Sequence, residues 1–328
     1  MRPLSLALLV LGPALLVGCG EQRPSFEPEK VNAAPLGKGL PRGFLLGTST
    51  ASQQGGSGTA PDAWNHFDED VTRMKRLGSN AYGFSVEWSR LEPAPGQWDA
   101  ESAARYRQWA QALRAQGLEP LVTLHPSPLP AWVAASGGWE DPATLASFER
   151  FAGRVADLLG GEVDWWCTVH EPNVSPARVA RQLRTHDMVD ADGDGKATLV
   201  GLSHPVSTPD LAGAGVAGSL DFLGLNDSEP SAEGLYLILK RSAALGLPLV
   251  LMESGLEDRT GERRPSFLKN HLYAVEQAVA AGVDVRGYFP RFGLFRVDRS
   301  TPELERQGTP AVETFREAAR NLGLTPTP

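Results

Sequence analysis

Two glutamates carry the strongest chemical signal in the chain. Glu171 stands in TVHEP, residues 168–172, directly after the apolar run DWWC. Glu253 stands in LMESG, residues 251–255, after the apolar run PLVL. One acid at the end of a buried strand is ordinary. Two, on strands of one sheet, can face each other across a cleft. A protonated carboxyl and an ionised carboxylate flanking a sugar are the machinery of glycosidic bond cleavage. One delivers a proton to the leaving oxygen while the other attacks the anomeric carbon or activates water, so their environments must drive their acidities apart.

Such acids need a scaffold that brings distant strand ends together. Eight short, nearly continuous apolar runs supply it: FLLGTST at 44–50, AYGFSV at 81–86, EPLVTLH at 119–125, DWWCTVHE at 164–171, ATLVGLS at 197–203, DFLGLN at 221–226, PLVLMES at 248–254 and VRGYF at 285–289. Runs of this kind suit strands covered on both faces of a parallel sheet. Helical spacing lies between them. Tyr106, Trp109, Ala110 and Leu113 form one stripe, which stops at Gly117. Leu145, Phe148, Phe151, Ala152 and Val155 form a second, and Leu268, Leu272, Val275 and Val279 a third that ends at Gly282. Eight strands alternating with helices predict an α/β fold, the (β/α)8 TIM barrel; a doubly wound open sheet is the alternative. In a barrel, functional groups gather at the C-terminal strand ends, where Glu171 closes strand four and Glu253 closes strand seven.

Other chemistries find little support. GAGVAG at 213–218 matches a dinucleotide fingerprint, but it follows a loop and precedes a strand, the reverse of what that motif needs. DADGDG, Asp190 to Gly195, resembles half of a calcium loop, yet Gly201 stands where a bidentate acid belongs, so Asp190–Asp194 reads as a turn capped by its own side chains. The six histidines show no zinc spacing, and there is no nucleophile elbow or phosphate loop. No metal and no cofactor are expected. A net charge of −8 and a pI near 5.4 argue against a nucleic-acid partner and against charge-driven binding to anionic membranes.

The chain resembles glycoside hydrolase family 1, the β-glucosidase-like clan A barrels. The resemblance rests on FLLGTSTASQQ, DAWNHFDEDVTRMKRLGSNAYGFSVEWSRLEP, GLEPLVTLHPSPLPAWV, FERFAGRVADLLGGEVDWWCTVHEPN, DFLGLN, PLVLMESGLED, and VDVRGYF with RFGLFRVD, in the family order across most of residues 41–300. It implies Glu171 as acid/base and Glu253 as nucleophile of a retaining mechanism. It also implies Gln54, His125, His170 and Asn226 as sugar-binding or mouth-shaping residues. Departures accompany it. Gly83 stands where the family has an arginine beside the nucleophile, Pro126 at a sugar-binding histidine, and His170 at an asparagine. Ser228 replaces a tyrosine and Ser254 the asparagine of Glu-Asn-Gly. Only Pro290 joins GYF to RFGL, where the family carries a tryptophan-rich segment. Two functional readings follow: a glycosidase acting on β-linked sugars, or a glycosidase-like barrel that binds a glycan or envelope component without turnover. The first reading is a retaining glycoside hydrolase, and transglycosylation by the same two acids stays open.

The N-terminus carries a separate signal. Met1-Arg2 is followed by the apolar run Leu4 to Val17 and then LVGC, ending at Cys19. A run this short reads as an export signal rather than a membrane span. The final cysteine has the form of a bacterial lipobox, which predicts residues 1–19 as a lipoprotein signal, lipidation at Cys19, and a membrane-anchored protein of the bacterial cell envelope. Residues 20–40, rich in Pro, Glu and Ala, read as a flexible tether, and 41–328 as the barrel domain. Cys167, the only other cysteine, falls within a strand and is expected to be a buried small hydrophobe.

Overall fold

The computed structural model describes residues 23–50, 63–124, 129–170, 199–205, 220–227, 230–256, 258, 260–291, 294–298, 300 and 305–326. In chain order, its elements begin with α1 (Pro28–Ala33), β1 (Leu45–Thr50), α2 (Ala63–Leu77), β2 (Ala81–Ser85), α3 (Trp88–Leu91), α4 (Ala100–Ala115) and β3 (Glu119–Thr123). Then come α5 (Ala131–Ala135), α6 (Pro142–Leu159), β4 (Trp165–His170), β5 (Leu199–Pro205), β6 (Phe222–Asp227), α7 (Ala232–Ser242) and β7 (Leu249–Ser254). The chain finishes with α8 (Arg264–Ala280), β8 (Val285–Pro290), the short hairpin β9 (Phe295–Val297) and β10 (Arg306–Gly308), and α9 (Ala311–Asn321).

Strands β1 to β8 pair in sequence, all parallel, and β1 pairs with β8, so the sheet closes into a barrel. All eight apolar runs form the expected strands, which settles the barrel against the open sheet. Closure sorts each strand by its period of two. Leu45, Ala81, Leu121, Trp165, Cys167, Phe222, Val250, Met252 and Phe289 fill the interior. Alternate residues such as Leu46, Leu225, Leu249, Leu251 and Tyr288 pack outward against the helices. Cys167 is a fully buried member of the inner set.

The helices start where local chemistry caps them. Asp99 accepts a 2.6 Å hydrogen bond from the Ser102 amide at the head of α4. Asp141 accepts from the Ala143 amide ahead of Pro142 in α6, and Ser231 from the Gly234 amide in α7. Gly117, with φ +68°, provides the left-handed residue just beyond the end of α4.

The stretch expected as a flexible tether is a correction. Over its described part it folds against the barrel. Phe26 meets the rings of Tyr236 on α7 and Tyr273 on α8, and the Tyr273 hydroxyl donates to the Ser25 carbonyl. Val31, Leu36 and Leu40 are buried, with Leu36 wholly enclosed. Gly37, with φ +86°, lies so close to α9 that an added Cβ would collide with the Ala318 carbonyl. The composition looked like linker because few apolar residues do the docking, spaced without helical or strand period. Residues 1–22, with Cys19 and the export signal, lie outside the described residues. Among the described residues no helix is long and apolar enough to cross a membrane.

Two outcomes test this docking. Leu36→Ala is expected to cost about 2–5 kcal/mol, as for a large-to-small change at an enclosed site, read by denaturant unfolding; a true tether would give no change. Glu276 on α8 accepts from the Gly39 amide at 2.9 Å. Burial holds its carboxyl above the usual range, against the opposing backbone hydrogen bonds from Gly39 and Gly37. An acid raised by folding adds its full stability below its unfolded value, about 4.3, and loses it as pH rises through the folded value. Glu276→Gln should therefore melt above the wild type at pH 7, with the difference closing as pH falls below about 4.

Candidate active site

Glu253 is the second-last residue of β7, and the strand is irregular there. Leu225 pairs with Leu251 and Asn226 with Glu253, so β7 spends two residues where β6 spends one. Against β8, Leu251 pairs with Tyr288 and Ser254 with Pro290, three residues against two. One extra residue is therefore accommodated around Met252, a β-bulge. The bulge reverses the facing of the residues after it. Val250 and Met252 point inward, so strict alternation would turn Glu253 outward and Ser254 inward. Instead Ser254 faces α8 and Glu253 turns into the barrel mouth.

There the Glu253 carboxylate meets a cation. Its Oε2 lies 2.8 Å from Nη1 of Arg291, with the carboxylate side chain one-tenth exposed and the guanidinium about one-third. Arg291 follows β8 directly, and its amide donates to the Ser254 carbonyl at 2.8 Å. Phe289, two residues before it, points into the barrel. This answers the expectation that a cation beside this acid had been lost with the change to Gly83. A Cβ at Gly83 would sit 3.1 Å from the Ser49 Cβ and 3.9 Å from the Phe289 ring. At Gly47, on the neighbouring strand, a Cβ would overlap the same ring. The Phe289 ring therefore covers the two glycines on β1 and β2, and the guanidinium arrives from β8 instead. Direct joining of GYF to RFGL through Pro290 is what brings Arg291 to the strand end.

Asn226 is buried and lies in register with Glu253 on β6. His170 closes β4, at the same rim of the parallel barrel, one residue before Glu171. Glu171, Gln54, His125 and the Asp190–Asp194 loop lie outside the described residues. Among the described residues no group of three His, Cys, Asp or Glu side chains is placed to hold a metal.

Behind Glu253, on the outer side of β7, lies a polar layer that motif reading did not find. The Ser254 hydroxyl donates to Asp227 Oδ2 at 3.1 Å and accepts from the Tyr288 hydroxyl at 3.0 Å. His271 on α8 brings Nδ1 to 3.1 Å from both Ser254 Oγ and Asp227 Oδ2. The His271 and Asp227 side chains are wholly buried. Burial raises the Tyr288 phenol far above its usual range, despite the hydrogen bond to Ser254, so it remains a hydroxyl donor. Sequence reasoning missed Arg291, Asp227, His271 and Tyr288. The signal was faint: each sits inside an apolar or family-like run.

Comparison with known proteins agrees with this architecture. Residues 38–179 match the family model for glycosyl hydrolase family 1. The "Beta-glucosidase-like SFR2, chloroplastic" of Oryza sativa subsp. japonica is 25% identical over 354 residues, covering 77% of this chain and 55% of that protein. The "Galactolipid galactosyltransferase SFR2, chloroplastic" of Arabidopsis thaliana is 25% identical over 338 residues, covering 72% and 54%. The chain thus spans about half the length of these curated relatives. Among solved structures, a β-glycosidase from Pyrococcus horikoshii superposes with a TM-score of 0.74 at 25% identity, over 88% of this chain and 96% of that one.

The Glu253–Arg291 pair generates a direct expectation. In a double-mutant cycle with Glu253→Gln and Arg291→Gln, the coupling in unfolding free energy should be about 1–3 kcal/mol, above the ~0.2–1 kcal/mol of exposed pairs. A coupling near zero would show that the two groups do not interact in solution. Over residues 38–179 the sequence is thus similar to glycosyl hydrolase family 1, and the whole chain closes into the eight-stranded barrel seen in solved β-glycosidases.

Proposed function

We propose that the chain is a retaining glycosidase acting on β-linked sugars. The observation that carries this reading is an inward-turned carboxylate, Glu253, opposed by a guanidinium at the mouth of a family 1-type barrel. In the first step, Glu253 attacks the anomeric carbon as the bond to the leaving oxygen breaks. Glu171 gives its proton to that oxygen, and a glycosyl ester forms on Glu253. In the second step, Glu171 takes a proton from water, the water oxygen attacks the anomeric carbon, and the Glu253 carboxylate departs. Two inversions give net retention. Arg291 opposes the negative charge that Glu253 carries before attack and regains on departure. Gln54, His125, His170 and Asn226 would contact or orient the sugar. In this reading Cys19 carries a lipid and holds the enzyme at the membrane of the bacterial envelope.

Transfer to a sugar hydroxyl in place of water is the second reading. It is favoured by the relative named a galactolipid galactosyltransferase. The chemistry differs only in the acceptor that Glu171 deprotonates, so the same two acids serve both outcomes. A membrane-anchored enzyme would meet such acceptors in the headgroups of glycolipids.

Anion rescue tests the assignment of both acids. Glu253→Gly should lower turnover of an aryl β-glycoside by about 10³-fold or more. Added azide should enter the vacated space and give the α-glycosyl azide. Glu171→Gly with azide should give the β-glycosyl azide, since the anion then attacks the ester from the other face. Product analysis with a glycolipid acceptor separates transfer from hydrolysis. Glycan binding by the wild type with no turnover of any β-glycoside would replace the enzyme by a binding barrel.

A further inference from the structure

The buried layer of Asp227, Ser254, His271 and Tyr288 touches no reacting atom in the proposed mechanism, yet it costs the protein something to keep. A polar group withdrawn from water is unfavourable unless its hydrogen bonds are replaced. His271 Nε2 is buried and has no hydrogen-bond partner among the described residues, so one such cost is left standing there. A leucine at this position would fill much of the space without it. The layer must therefore supply something that apolar packing would not.

Its geometry says what. Four elements meet at one hydroxyl: β6 through Asp227, β7 through Ser254, β8 through Tyr288 and α8 through His271. The Ser254 hydrogen goes to Asp227. The remaining Ser254 lone pairs face the Tyr288 hydroxyl and His271 Nδ1. A lone pair on Nδ1 would oppose both the carboxylate and the serine oxygen, so the hydrogen-bond pattern assigns the imidazole proton to Nδ1, shared between the two. Every donor around Ser254 Oγ then has an acceptor, and the side chain has one facing that satisfies them all.

Facing is the quantity that matters at this point of β7. The bulge around Met252 makes alternation ambiguous, and a slip of one residue would turn Glu253 toward α8. Fixing Ser254 outward fixes Glu253 inward. The same residue also sets the partner, because its carbonyl accepts the Arg291 amide. Ser254 thus holds both members of the ion pair, one through the chain and one through a backbone hydrogen bond. The Asp227 carbonyl adds a further tie by accepting the Gly255 amide at 3.2 Å.

We infer that Ser254, Asp227, His271 and Tyr288 form a positioning device that locks the bulged end of β7, aiming Glu253 and Arg291 at each other on the rim of the barrel. The inference rests on the glycosidase reading for its kinetic consequence and on geometry alone for its structural one.

The test uses Ser254→Ala and the milder Tyr288→Phe in the full chain. With an aryl β-glycoside, kcat should fall about 10- to 100-fold in Ser254→Ala, as for a displacement near 1 Å at the reacting group, and less in Tyr288→Phe. KM should stay within about twofold, since uniform substrate binding is untouched. Ser254→Thr, which keeps the hydroxyl, should recover most of the loss. Crystal structures of the variants give the second readout: the Glu253 Oε2 to Arg291 Nη1 separation should lengthen from 2.8 Å in Ser254→Ala. Wild-type kcat in Ser254→Ala, or an unchanged pair in its crystal structure, would overturn the inference. If the wild type turns over no glycoside, the glycosidase reading fails by itself, and the crystal separation alone decides the positioning claim.

Discussion

A carboxylate turned into the mouth of a parallel barrel must be both aimed and electrically opposed, and the C-terminal third of this chain is arranged around that requirement. Glu253 faces inward only because β7 carries one residue more than its neighbours need. The guanidinium that opposes it stands just past the end of the next strand, two residues beyond an inward-facing phenylalanine. Regular alternation on β7 would aim the acid at the helices, and the chain would keep its fold while losing its site.

The same constraint ties together features that look unrelated in the sequence. Gly83 removes a side chain from β2, and Phe289 on β8 closes over the glycines of β1 and β2. The short connection through Pro290 then brings Arg291 to the rim. In this chain the positive charge beside the acid comes from the end of the eighth strand, where the family resemblance would have placed it on the second. Asp227 and Ser254, adjacent in register on β6 and β7, pair behind it. An ion pair partly sheltered from water is sensitive to placement, because the cost of removing each charge from solvent is recovered only when the two meet closely. Fixing the strand behind the pair answers that sensitivity.

Much of the fold was legible because buried parallel strands leave a strong signature: eight apolar runs, separated by helical stripes, became eight strands in ring order. Glu253 was legible for the same reason, as an acid at the end of such a run. The bulge was not, since a single extra residue changes no composition and no spacing that a period of two or 3.6 would reveal. Arg291 was hidden by its own context, RFGL, which reads as a family-like stretch rather than as a strand end. His271 sat inside a helical stripe with Leu268 and Leu272 and was indistinguishable from core. The segment up to Leu40 misled by composition: its prolines and glutamates suggested a linker, while Phe26, Val31, Leu36 and Leu40 dock it against the barrel.

The central claim is that Glu253, opposed by Arg291, is a working nucleophile. An activated 2-fluoro glycoside slows release of the glycosyl ester and so leaves the sugar on the attacking atom. The measurement is the intact mass of the protein after incubation, followed by peptide mapping, in a chain that begins early enough to keep the docked segment from Phe26 onward. One sugar added per chain, carried by the peptide that contains Glu253, is the predicted result. Well-folded protein that gains no mass from any β-configured sugar, or gains it at another residue, would contradict the account.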